Sequence, residues 1–241
     1  MLTTLACGIA LIAASAAFLL RQPWLGLQLD GAAERGVRVA VVDPAGPSAG
    51  IPSQTVLTAI ANAAGVSVSL EPFDVVEDPD TAATYAAFDE FLARQSRIAA
   101  LLAGGEVMLT SADGTVMTVR PSPSRPPGSL PLAFWLQELI GLACLLVGTW
   151  AYSLKPRDTA VRVMALASAA SVLTAWSSSL FIYRELALDG GLIHILSSLN
   201  IAGSLGFAGA IFVLFLIHPR RLVPPAVPFL IVMVPTAAWV A

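Results

Sequence analysis

The chain has 241 residues, 56% of them hydrophobic and 12% charged, with a formal net charge of −3. A mean hydropathy of +0.78 excludes an ordinary soluble globular protein, in which about a quarter of the residues are charged. Most of the chain is expected to meet lipid, and the two cysteines, Cys7 and Cys144, lie in apolar runs that imply neither a disulfide framework nor a metal site.

The first predicted element is a membrane anchor over residues 1–20, an uncharged run that ends at Arg21. About 20 apolar residues suffice to cross a bilayer. A secretory signal peptide is the rival reading, but the run has no basic start and is too long for an ordinary signal core. Lipidation at Cys7 is rejected, because Thr4 stands where a lipobox wants Leu and the apolar run follows the cysteine.

Residues 21–121 read as one small α+β domain, a length that suffices for an independent fold. "VRVAVVD" alternates as a strand does and stops at the "PAGPSAG" turn. "QTVLTAIANAAG" is a short amphipathic element, and "VSVSLEPFDVV" a second alternating strand. Asp80 is the expected cap of a helix carrying Tyr85, Phe88, Phe91, Leu92, Ile98 and Leu102 at helical spacing, closed by Gly104-Gly105. "EVMLTSADGTVMTVRP" reads as two strands around an Asp113-Gly114 hairpin turn. Residues 122–130 form a Pro-rich linker, either a stiff stalk that transmits displacement or a plain spacer.

Residues 131–241 are expected to form a membrane bundle with spans near 131–154, 160–183, 191–217 and 222–241. The last run is still apolar at Ala241, which gives the expectation that this is the front part of a longer chain. Lys155, Arg157 and Arg162 mark one cytoplasmic link, and Arg220 with Arg221 another. The intervening link has only Arg184 against Glu185 and Asp189, so it falls outside with residues 21–130, where twelve acidic residues face seven arginines.

Within the spans, Glu138 is the costly residue. A charge at mid-membrane costs about 2.5–3.5 kcal/mol on insertion scales, which the rest of the helix outweighs, but the carboxylate needs a partner. His194, Asn200 and Ser177 to Ser179 are expected in the same outer half, with Arg184 and Glu185 just above. Glu138, His194, Asn200, Arg184 and Glu185 are therefore candidates for coupling through the membrane; static interhelical hydrogen bonding is the alternative. Ala202, Gly206 and Ala210, four apart, offer a close-packing helix face. No catalytic motif, metal cluster or cofactor site is found, and no nucleic-acid partner is expected.

"WLGLQLD", "GVRVAVVDPAGPSAGI" and "VLTAI" together resemble PDZ domains of the bacterial envelope type. That resemblance implies that Leu25, Gly26 and Leu27 form a loop cupping a peptide carboxylate, with the peptide added as a strand. Gln54-Thr55 stand where such domains have Gly-Asp, and an ordinary loop after a membrane exit remains the alternative. The fold class is thus an α-helical multi-pass membrane bundle plus a small α+β, PDZ-like extracytoplasmic domain. The whole arrangement, with "FDVVEDPDTAATY", "FLARQS" and "YRELAL", resembles the sensory front end of bacterial multi-span sensor histidine kinases of the competence and quorum-sensing type. The resemblance implies a homodimer in the bacterial cytoplasmic membrane and an extracytoplasmic ligand such as a peptide. It also implies a cytoplasmic response regulator reached through kinase domains beyond residue 241. A non-catalytic envelope scaffold holding peptide C-termini is the other reading.

Overall fold

The computed structural model describes residues 1–224 together with Val227 and Leu230, so the run expected at 222–241 lies almost wholly outside the described residues. The chain divides into two compact units. One contains Met1–Ala16, Leu130–Ser179 and the chain from Leu196 on; the other contains Ala17–Ser129 and Leu180–Ile195.

The first unit is helical. Its elements are α1 (Leu2–Leu20), α3 (Leu132–Leu154), α4 (Thr159–Ile182) and α5 (Gly190–Ile217), the first, third and fourth of which carry some residues into the other unit. All four are long and apolar enough to cross a membrane, and only 22–33% of their most apolar windows is buried. Leu136, Leu139, Ile140, Trp150, Phe212 and Phe215 point outward, as side chains do on helices whose solvent is hydrocarbon. Small residues let the helices approach. A Cβ on Gly8 would collide with Leu142, and one on Gly148 with Ser168. On α5 a Cβ at Gly203 would lie 2.5 Å from Thr174 Oγ1 of α4, and Gly206 faces Ala170. Close backbone approach at small residues is the usual packing device where no hydrophobic force holds helices together.

The second unit is built on a six-stranded antiparallel sheet. Its strands are β1 (Leu27–Asp30), β2 (Val37–Val42), β3 (Val56–Asn62), β4 (Ser67–Ser69), β5 (Val107–Ser111) and β6 (Val116–Val119), in the order β1-β2-β3-β5-β6 with β4 paired to β3. The 19-residue helix α2 (Tyr85–Ala103) packs on this sheet. Val37 and Val39 on β2, Val107 and Leu109 on β5, and Ile98 on α2 are fully buried, as alternation on a strand and a 3.6-residue period on a helix require. β5 and β6 flank Asp113-Gly114, where Gly114 has φ +87° and Asp113 accepts from Thr115 N.

Three local details differ from expectation. Asp80 lies in a 3-10 turn (Pro79–Thr81), and the cap of α2 is Thr84, whose hydroxyl accepts from Ala87 N. The strand expected across "VSVSLEPFDVV" covers only Ser67–Ser69. Pro72, which has no N–H to give a ladder, opens a 3-10 turn over Pro72–Val75. Tyr85, placed by spacing on the apolar face, is 82% exposed at the first turn of α2.

Candidate functional site

The link between α4 and α5 is not a free loop. Leu186 and Ala187 belong to the same buried cluster as Leu25 and Leu27, β2, β3 and α2, and Leu188 is also buried. A seven-residue connection is thus part of the sheet domain's own core.

Arg184 fixes one end of this link. It is 2% exposed, and its Nη2 donates to the carbonyl oxygens of Asp74 (3.2 Å) and Val76 (3.0 Å), while Nη1 donates to Phe181 O (2.6 Å). Its guanidinium carbon stands 5.6 Å from the centre of the Phe91 ring, within cation–π range. Burial pulls the Arg184 pKa down to about 10, against the opposing charge of Asp74, so it remains a cation at neutral pH. The other end of the link is held by Gly190, whose N–H donates to Ser96 Oγ on α2 (3.1 Å). A Cβ at Gly190 would collide with the Leu92 carbonyl oxygen.

Asp74 is the hub beneath Arg184. Fully buried, it accepts from Arg94 Nε at 2.6 Å and from Gln95 Nε2 at 3.3 Å, and its second oxygen caps the turn by accepting from Glu71 N at 2.8 Å. Arg94 also reaches Glu71 at 3.1 Å. A carboxylate with this many donors offsets its desolvation, as a buried charge must. The sequence held a signal for this cluster. Arg94 and Gln95 sit four and three residues before Ile98, on the stripe that buries Phe91, Ile98, Leu101 and Leu102, and polar residues on such a stripe need partners.

Glu185 faces a different partner. Its Oε1 lies 3.1 Å from Arg125 Nη2, and Arg125 also donates to Tyr183 O (2.8 Å) and to Ser129. Burial pushes the Glu185 carboxyl up to about 7, and the Arg125 charge offsets only part of this. Burial likewise lowers the Arg125 pKa, opposed by Glu185. Glu185 has φ +53°, a left-handed turn that reverses the chain just before Leu186 enters the core.

The residues singled out from the sequence fall into separate settings. Leu25 and Leu27 are buried, and Gly26 has φ +77° with its carbonyl accepting from Asp43 N (2.9 Å). A Cβ on Gly26 would lie 2.8 Å from Gly46 Cα, so this loop is wedged against the Pro/Gly turn. Glu138, on α3, accepts a 2.6 Å hydrogen bond from Ser179 Oγ of α4. Ser15 of α1 approaches the same carboxylate, while its hydroxyl donates to Leu11 O. The neighbouring Gln137 bonds Ser178 and the Ala175 carbonyl. Asn200 donates to Thr174 O at 3.1 Å. Glu138 and Asn200 thus belong to the helical unit, and Arg184, Glu185 and His194 to the sheet-bearing one. There the His194 ring meets Phe88 edge-on, with centroids 5.9 Å apart.

Among the described residues no group of histidine, cysteine and acidic side chains could hold a metal ion. No protein-family model, curated protein or solved structure matches the chain.

Proposed function

We propose that this chain is the signal-sensing region of a membrane-bound receptor of the two-component sensor-kinase kind, in which an outer domain receives a ligand and the helical bundle passes the change to a cytoplasmic output. One observation carries the reading: Leu186 and Ala187, in the link between two apolar helices, are core residues of the sheet domain. A ligand that alters the packing of that core acts directly on the ends of α4 and α5. The distribution of charge supports the same arrangement. The positive-inside rule assigns residues 21–130 and the 184–190 link to the same side, and both belong to one compact unit.

A ligand biases such a device only by binding its two arrangements with different affinities. The test is to join the chain in frame to the phosphoacceptor and ATP-binding modules of a characterised sensor kinase and to measure autophosphorylation in membranes. Arg184→Ala is expected to change the basal rate, because it releases the link. Autophosphorylation identical to that of the unaltered hybrid would overturn the reading.

The second reading, an envelope scaffold that holds peptide C-termini, is favoured by the position of β1 at the end of the sheet, where among the described residues it pairs with β2 alone. It requires that binding of a free-carboxyl peptide be lost on C-terminal amidation.

A further inference from the structure

Between α1, α3 and α4 lies a cavity of about 20 Å³. Gly8, Leu11 and Ile12 of α1 wall one side of it, Glu138 of α3 and Trp176 of α4 bring polar side chains to its lining, and all five belong to the helical unit. The Trp176 Nε1–H is buried and donates to no described residue. Hydrocarbon offers it no acceptor either, so leaving it unpaired is costly. Glu138 is its complement. A carboxylate accepts at both oxygens; Ser179 Oγ takes one position at 2.6 Å, and Ser15 approaches the same group while its hydroxyl donates to Leu11 O. Indole and carboxyl thus line one small space without bonding each other.

We propose that this cavity binds a single water that accepts from Trp176 Nε1 and donates to the Glu138 carboxyl. Size selects the ligand first: a buried water needs about 10–15 Å³ and two to four polar partners, so the space holds one water and nothing larger. Polarity selects it next. One wall gives a hydrogen bond and the other takes one, and water does both. A sodium ion would find a single carboxylate beside the positive end of an N–H, and a chloride ion would face the carboxylate. Protonation of Glu138 leaves a carbonyl oxygen that still accepts, so the bridge exists in both charge states. The water joins α3 to α4 a second time, beside the direct bond between Glu138 and Ser179. The helix α1 holds it in: at Gly8 the backbone lies so close to Leu142 that a Cβ would collide, and displacing α1 removes one wall of the site. The site stands whether or not the chain has a signalling output, and so goes beyond the receptor reading.

The test uses the full chain in nanodiscs, labelled with nitrogen-15 at its tryptophan indoles, with the Trp176 Hε1 resonance assigned by its loss in Trp176→Phe. A cross-peak between water and Trp176 Hε1 is expected. In the rotating frame it should carry the sign of dipolar contact with a water that tumbles with the protein, opposite to that of simple proton exchange. Glu138→Gln keeps a carbonyl acceptor and should retain the cross-peak. Glu138→Leu removes the acceptor and fills the space, and should lose it. The wild-type spectrum is independent of how well either Glu138 variant folds, and its lack of the dipolar cross-peak overturns the bound water. Persistence of the cross-peak in Glu138→Leu, or its loss in Glu138→Gln, overturns the bridge to the carboxyl.

Discussion

Arg184 Nη2 donates at 3.2 Å to the carbonyl oxygen of Asp74, 110 residues earlier in the chain, and so ties the end of an apolar helix to the turn before α2. The same nitrogen donates to Val76 O at 3.0 Å, while Asp74 O accepts a second bond from Gln95 Nε2 at 3.1 Å. Arg184→Met keeps an apolar stem against Phe91 and removes all three donated bonds. Asp74 O keeps its bond from Gln95, but Phe181 O and Val76 O lose this donor, at about 1–3 kcal/mol for each one left without a partner, partly offset because the cation no longer has to be desolvated. The expected net loss is about 2 kcal/mol, read as faster hydrogen exchange over residues 184–190. Arg184→Lys should recover little, since one ammonium cannot reach three separated carbonyls as a planar fork does.

The link also carries a pH dependence. Glu185 is raised to about 7 by burial, despite its 3.1 Å pairing with Arg125. An acid whose folded pKa exceeds its unfolded value near 4.3 favours the docked state when protonated. Its contribution is complete below about pH 4.3 and is lost as pH rises through about 7, a change of about 4 kcal/mol at most. Docking of the link should therefore weaken between pH 5 and pH 8, measured by exchange or limited proteolysis at residues 184–190. Glu185→Gln should abolish most of that dependence and protect the link at pH 8. A dependence that survives in Glu185→Gln would mean that another group titrates.

Gly190 tests the far end of the link. Any Cβ there meets the Leu92 carbonyl oxygen, which belongs to the backbone of α2 and cannot swing aside. Gly190→Ala should lift the link from α2 and break the bond to Ser96. Gly191→Ala is the control, because its nearest neighbour is the movable Asp189 carboxylate at 3.1 Å. Thermal unfolding of the sheet-bearing unit should fall by several degrees for the first substitution and change little for the second.

How much of this was legible follows from which contacts are local. The apolar runs, the alternation of β2 and the Asp113-Gly114 turn are properties of neighbouring residues, and the sequence shows them. β3 was harder to recognise. Its register shifts between Leu57 and Ala59, so its most buried residues, Leu57 and Ile60, stand three apart and mimic helical spacing. The site itself depends on distant pairs: Arg184 with Asp74, Leu186 and Ala187 with Leu25 and Leu102, and Arg125 with Glu185. No periodicity encodes those pairings. Arg184 and Glu185 drew attention as charges beside a membrane segment, yet they turn to different partners within the sheet domain. Arg94 and Gln95, polar residues on the buried stripe of α2, are the local feature from which this cluster could have been inferred.

Glu138 offers a test inside the helical unit. It is 4% exposed, and its Oε1 accepts from Ser179 Oγ at 2.6 Å, joining α3 to α4. Glu138→Gln retains an acceptor of the same shape, so the hydrogen bond persists while the capacity for charge is removed. Helix packing and membrane insertion should be unchanged, because the substitution lowers the cost of placing this helix in hydrocarbon. If the carboxylate takes part in switching, the two arrangements of the bundle differ in how well they accommodate it. Removing it then shifts their ratio. The dose–response of the kinase hybrid should accordingly move in midpoint or basal level, with protein abundance in membranes equal to wild type. An unchanged dose–response would make the Glu138–Ser179 pair a static link between helices. Glu138→Ala separates the two cases further: it leaves the Ser179 hydroxyl without its acceptor on α3 and should reduce abundance even where Glu138→Gln does not.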